Sequence, residues 1–215
     1  MREAIIQKVL DKKIVAIVRG VYGQDCVNLA KALYAGGIEL LEVTFDQSKP
    51  EELARTSDTI RALVQELGDK MAFGAGTVTS LEMLELAKQA GTQFVVSPNT
   101  NAEVIRATVA ADMVSMPGAL TPTEIIEAYS YGADFVKVFP VSTLGAAYLK
   151  AIRGPINHIR LLAVGGVNEK NIGEFMKAGV DGAGVGGNLV NKTWIANGEF
   201  DKITALAEEF CRNVQ

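Results

Sequence analysis

Two charged residues stand inside segments that otherwise read as buried strands. Lys137 sits in "FVKVFP", residues 135–140, and Glu42 sits in "LLEVTF", residues 40–45. A lysine at such a position has two readings. It can be a strand-end residue reaching solvent along its methylene stem. Alternatively, strand alternation puts Phe135, Lys137 and Phe139 on one face, and that face can point into a protein interior. An ammonium there loses hydration, so the neutral amine is favoured and the pKa falls. A neutral amine in an apolar pocket is the nucleophile that Schiff-base chemistry with a ketone needs. Glu42 likewise reads as an ion-pair partner for Arg19 or Lys137, or as a proton shuttle whose pKa burial raises.

Other candidates gather around these two. Arg19 follows an apolar run and could take a carboxylate in a bidentate contact. Thr77 in "GAGTVTS" could offer its hydroxyl to the same group, and both residues could equally be structural. Pro98 in "VSPNT" and Phe139 are further candidates for lining the pocket that would hold this carboxylate. The paired glycines Gly165-Gly166 and Gly186-Gly187 let backbone approach an anion, with Asn168 and Asn188 as candidate N-caps of following helices. Tight turns are the other reading of those pairs. The only histidine, His158, lies away from all of these, and the two cysteines, Cys26 and Cys211, have no metal-like spacing. A His-rich catalytic zinc site is therefore not expected, which leaves the imine as the route for carbonyl chemistry.

The elements that must position these residues recur along the chain. Strands are expected at "KIVAIV" (13–18), "IELLEVT" (38–44), "MAFGAG" (71–76), "TQFVVS" (92–97), "DMVSMP" (112–117), "ADFVKVF" (133–139), "IRLLAV" (159–164) and "VDGAGVG" (180–186). Each is followed by a helical pattern, and such apolar runs suit a parallel sheet covered on its outer face. Gly36, Gly91, Gly132 and Gly179 end helices just before strands, where a left-handed residue is wanted. Eight strand–helix units predict an α/β fold of the (β/α)8 TIM-barrel type, with an extra N-terminal helix capping the bottom. An open doubly wound sheet would call for a glycine-rich dinucleotide turn after the first strand, and none is present. In the barrel, the unusual residues all fall at strand C-terminal ends and share one mouth. The loops after strands seven and eight are then the place for a phosphate.

Composition agrees with this picture. The 215 residues suit a single domain, 1–215, with 48% hydrophobic and 21% charged residues and a formal net charge of −4. No basic stripe points to nucleic acid, and no apolar run is long enough to cross a bilayer. The opening "MREAIIQKVLDKK" reads as an amphipathic helix, and the two cysteines read as small core residues in a reducing cytoplasm.

With these motifs in view, the chain resembles the bacterial 2-keto-3-deoxy-6-phosphogluconate / 4-hydroxy-2-oxoglutarate aldolases. The shared elements are "GGIELLEVTF", "GAGTVTS", "FVVSPN", "MPGALTPTE", "VKVFP", "GGV" and "GVGG". The resemblance implies a class I aldolase without metal or cofactor, with Lys137 forming the Schiff base and Glu42 as acid/base. It also implies Thr77 on the pyruvyl carboxylate, a small keto-acid substrate and a homotrimer. Three positions depart from the family pattern. Asp46 stands close to where some members carry an arginine, which throws carboxylate recognition onto Arg19. Val164 replaces the threonine of a "PTGG" element and is reminiscent of the galactonate-specific branch. Gly187 replaces a serine of the last loop, removing one hydroxyl donor to phosphate. Two rival functions fit the bare residues: a phosphosugar isomerase or epimerase using Glu42 as base, and a non-catalytic sugar-acid-binding barrel.

Overall fold

A computed structural model describes residues 1–215. Its strands are β1 (Ile14–Val18), β2 (Leu40–Thr44), β3 (Ala72–Gly76), β4 (Phe94–Val96), β5 (Val114–Met116), β6 (Gly118–Ala119), β7 (Val136–Val138), β8 (Leu161–Val164) and β9 (Gly182–Val185). All pair in parallel, in the order β5-β4-β3-β2-β1-β9-β8-β7-β6, and form a nearly closed barrel with helices between the strands. The helices are α1 (Arg2–Lys12), α2 (Gly23–Ala35), α3 (Leu53–Leu67), α4 (Leu81–Gln89), α5 (Ala102–Ala110), α6 (Pro122–Ser130), α7 (Gly145–Arg153), α8 (Ile172–Lys177), α9 (Lys192–Ala196) and α10 (Phe200–Asn213). The expected barrel is therefore present.

Eight expected strands became nine because the fifth is broken at Pro117. β5 bonds to β4, and β6 bonds to β7. Proline has no N–H to continue a ladder, so the chain bends there and changes partner. The bend carries the sheet round from one edge to the other. It also matters for the site, because the Pro117 carbonyl accepts a 2.8 Å hydrogen bond from the Lys137 N–H.

Two apolar layers hold the barrel. The larger lies between strands and helices, as a parallel sheet with alternating faces requires. The smaller fills the barrel itself with Val15, Leu40, Phe94, Val114, Phe135 and Leu162, among others. Ile5, Ile6 and Val9 of α1 belong to this inner layer. The N-terminal helix thus plugs the barrel bottom, as its apolar stripe predicted. Arg2 on the same helix pairs at 2.7 Å with Asp134, whose carboxylate also accepts from the Ser115 N–H.

Several boundaries differ from the sequence reading. Lys13 is not in β1; it ends α1 in a left-handed conformation, φ 61°. β7 covers only Val136–Val138 of the sixth expected strand, 133–139, and Asp134 before it is engaged in side-chain bonds with Arg2 and the Ser115 N–H. Gly91, Gly132 and Gly179 are left-handed as expected, but Gly36 has φ −83° and Gly37 takes that role with φ +94°. Gly36 is glycine for a different reason: a Cβ there would lie 2.5 Å from the Ala207 Cβ of α10. The motif "TPTE" is a reciprocal cap of α6. Thr121 accepts from the Glu124 N–H while Glu124 accepts from the Thr121 N–H, with Pro122 in the first turn.

Candidate active site

At the C-terminal ends of the strands lies a cavity of about 520 Å³. Arg19, Glu42, Thr77, Pro98, Lys137, Phe139, Gly165, Gly166, Gly186 and Gly187 all line it. Every residue proposed from sequence is therefore brought to one place. His158 is exposed and stacks edge-on with Tyr129, before β8, at the far end of the barrel.

Lys137 is only 8% exposed, and Glu42 only 2%. The inward reading of the lysine is the observed one, since Phe135 two residues earlier belongs to the inner layer. Phe139 stands at the mouth, 38% exposed, with its ring centroid 4.9 Å from Lys137 Nζ. Burial pushes the Lys137 pKa below its ordinary value. The Glu42 charge works against this shift, and the Arg19 charge assists it. Burial raises the Glu42 pKa, against the pull of Lys137 and Arg19. For both groups desolvation is the leading cause, and it acts against the charged form of each.

The two groups feel each other's charge without touching. Neither a salt bridge nor a hydrogen bond joins Glu42 to Lys137, and Glu42 Oε2 has no partner in the protein. The ion-pair reading of Glu42 therefore fails as direct contact. What the geometry leaves is a gap between amine and carboxyl, lined by Ile17, Val164 and Gly184 at its floor. Gly76 on β3 gives the carboxyl its room, because a Cβ there would stand 2.8 Å from Glu42 Oε1. In the sequence Ile17, Gly76 and Gly184 read only as strand residues, and strand register is what brings Ile17 and Gly184 to the cavity and Gly76 beside Glu42.

Thr77 follows β3 with φ 60°, a left-handed conformation that a β-branched residue rarely holds. Strain of this kind is kept where the surrounding structure imposes it, often at ligand sites. Its side chain faces the cavity. We expect Thr77→Gly to raise stability by about 1 kcal/mol by removing that strain. The same change should weaken pyruvate binding. Thermal denaturation and a binding titration on one sample read both effects, and a fall in both would remove the strain argument.

The glycine turns differ from expectation in how they meet the helices. Gly165 and Gly166 have φ +94° and +78°. Asn168 and Asn171 then bond reciprocally, and α8 starts only after Asn171. Asn188 is not an N-cap: its amide donates to Glu169 at 2.8 Å, and Asn191 caps α9. An extra turn thus separates each glycine pair from its helix. The N–H groups of Gly166 and Gly187 donate to no protein acceptor. Anion binding here would rest on free turn amides more than on a helix dipole.

Comparison with known proteins decides the family. The pattern described as "Aldolase: KDPG and KHG aldolase" matches residues 5–206. The chain belongs to the KDPG and KHG aldolase family. It is thus a member of a family of carbon–carbon lyases. It is 34% identical over 177 residues to an Escherichia coli K12 2-dehydro-3-deoxy-6-phosphogalactonate aldolase, covering 82% of this chain and 83% of that one. It is 35% identical over 187 residues to the Treponema pallidum 2-dehydro-3-deoxy-phosphogluconate aldolase, covering 86% of each. Among solved structures, it matches a Legionella pneumophila KDPG aldolase holding pyruvate as a covalent carbinolamine. That match has a TM-score of 0.84 and 27% identity, and it covers 97% of both chains.

Proposed function

We propose that this family member is a class I aldolase that cleaves a 2-keto-3-deoxy-6-phospho sugar acid to pyruvate and glyceraldehyde 3-phosphate. 4-Hydroxy-2-oxoglutarate, which would give pyruvate and glyoxylate, is the shorter substrate of the same reaction. The observation that carries the reading is the buried amine of Lys137 facing the buried carboxyl of Glu42 across one cavity, with no bond between them. Reacting atoms can occupy that gap.

In this mechanism the neutral Lys137 amine adds to the C2 ketone. The carbinolamine hydroxyl leaves as water with a proton from the Glu42 carboxyl, giving a protonated imine and a Glu42 carboxylate. Glu42 takes the C4-hydroxyl proton as the C3–C4 bond breaks. The bond's electron pair moves toward the iminium nitrogen, leaving an enamine on Lys137 and a free aldehyde. Glu42 then returns its proton to C3, and water releases pyruvate and the amine. Arg19 and Thr77 hold the C1 carboxylate, Pro98 and Phe139 wall the pyruvyl group, and the turns at Gly165-Gly166 and Gly186-Gly187 hold the phosphate. The whole chain, 1–215, would act as one barrel domain, in the cytoplasm and as a homotrimer. Ile126 and Tyr129 expose apolar surface on α6 that a partner subunit could cover. Apart from this, no helix is long and apolar enough to cross a membrane.

Pyruvate release from the gluconate-type and galactonate-type phosphorylated acids, beside 4-hydroxy-2-oxoglutarate, tests the proposal. Turnover of at least one is required; release from none of the three would end it. A variant probes the phosphate end. Nothing lies within 4 Å of a Cβ at Gly187, so Gly187→Ser should fit and add one hydroxyl donor. We expect KM for the phosphorylated acid to fall about threefold to tenfold, and KM for 4-hydroxy-2-oxoglutarate to stay unchanged.

A further inference from the structure

A second polar chamber, of about 410 Å³, opens beside the catalytic cavity. It lies where the C-terminal ends of β1 and β2 meet the start of α9, and Arg19 is the one residue lining both spaces. The chamber's charges are unevenly used. Lys49 pairs with Glu52 at 3.5 Å, and the Arg55 guanidinium lies 4.3 Å above the Tyr22 ring. Asp46 is folded back on its own turn, accepting from the Ser48 N–H at 3.0 Å and the Ser48 hydroxyl at 2.7 Å.

Two cations remain. Neither Arg19 nor Lys192 has a carboxylate partner. Lys192 Nζ stands 3.1 Å from the point where a Gly20 Cβ would be, which places the ammonium against the residue that follows Arg19. A third group shares the chamber. Thr44 is 2% exposed at the end of β2, and its buried hydroxyl has no hydrogen-bond partner. Only three buried side-chain polar atoms go unpaired, the others being Glu42 Oε2 and Thr56 Oγ1, and such an atom marks a place where a partner is missing.

Two unpaired cations and a spare hydroxyl select for anionic oxygens. We propose that this chamber is a second anion subsite, in which Arg19 and Lys192 hold a carboxylate or phosphate group away from the glycine turns. The Thr44 hydroxyl is the third donor. Lys192 and Thr44 take no part in the imine step, whereas Arg19 is shared with the C1 carboxylate of the proposed reaction, and to that extent the subsite rests on that reading. The anion has two possible sources, the substrate's own carboxylate or a free anion in solution.

Inorganic phosphate titrated calorimetrically into the intact protein tests this. Gly187→Asp places a carboxylate in open space at the glycine turns and should abolish phosphate binding there. One binding event should survive in that variant. Adding Lys192→Ala should weaken the surviving event about tenfold, and Lys192→Arg in its place should restore it. Loss of all phosphate binding in Gly187→Asp, or indifference of the surviving event to Lys192→Ala, would overturn the proposal. The source is read by borohydride trapping of pyruvate in the Gly187→Asp background. If phosphate slows trapping, the subsite takes the substrate's carboxylate; if phosphate binds without slowing it, the subsite takes a separate anion. Absence of any trapped adduct, with the phosphate event intact, would remove the imine reading and leave the subsite standing.

Discussion

Lys137→Met is expected to lose turnover by at least about 10⁴-fold while the protein becomes slightly more stable. The loss follows because methionine matches the lysine stem in length and has no nucleophile. An electrostatic clamp would behave differently, since Lys137→Arg would then keep appreciable activity. The stability gain follows from burial. In the folded chain the Lys137 pKa lies below its ordinary 10.5, because desolvation disfavours the ammonium more than Glu42 supports it. The unfolded chain therefore binds more protons between the folded value and 10.5, and stability of the wild type rises through that window. Below it, the lysine costs stability that methionine does not. At neutral pH we expect Lys137→Met to be the more stable protein, with the difference closing as pH approaches 10.5. Denaturant titrations at neutral and alkaline pH measure this, and a less stable variant at neutral pH would contradict the burial argument.

Glu42→Gln should lower kcat by about 10²- to 10⁴-fold while still allowing pyruvate to form an imine. Glutamine keeps the shape and loses the proton shuttle. The pH dependence separates this from a packing effect. Burial raises the Glu42 pKa above its ordinary 4.5, so the wild type needs a higher pH to present the base. Its kcat/KM should climb through an acid limb lying above 4.5, and Glu42→Gln should lack that limb. Stability has the opposite sign from the lysine. The folded chain binds more protons than the unfolded chain between 4.5 and the raised value, so wild-type stability falls as pH rises through that window. Glu42→Gln should be the more stable protein at neutral pH, and the advantage should vanish below 4.5. An acid limb unchanged in Glu42→Gln would assign the proton transfer to another group.

The features visible in the sequence are those set by local chemistry. Apolar runs separated by glycine turns gave the barrel rhythm, and single charges inside two such runs marked Lys137 and Glu42. Because all strands are parallel, every strand end opens on one mouth, and so residues far apart in the chain were placed in one cavity. What stayed hidden depends on partners that sequence does not name. Pro117 is visible as a break, but the exchange from β4 to β7 around it is a choice of tertiary neighbour. Gly36 looked like a left-handed turn and is instead a contact point for α10. Asn188 had the type of an N-cap, yet its amide is taken by Glu169 from the neighbouring loop. The gap between Glu42 and Lys137 was also out of reach, because it depends on side-chain direction across the barrel.

The central claim is that Lys137 is the group that bonds covalently to the keto acid. Borohydride reduction in the presence of pyruvate, followed by peptide mapping, measures it directly. A reduced pyruvyl adduct on the peptide carrying Lys137, absent in Lys137→Met, is the predicted result. A wild-type protein that stays unmodified, or an adduct on any other lysine, would contradict it.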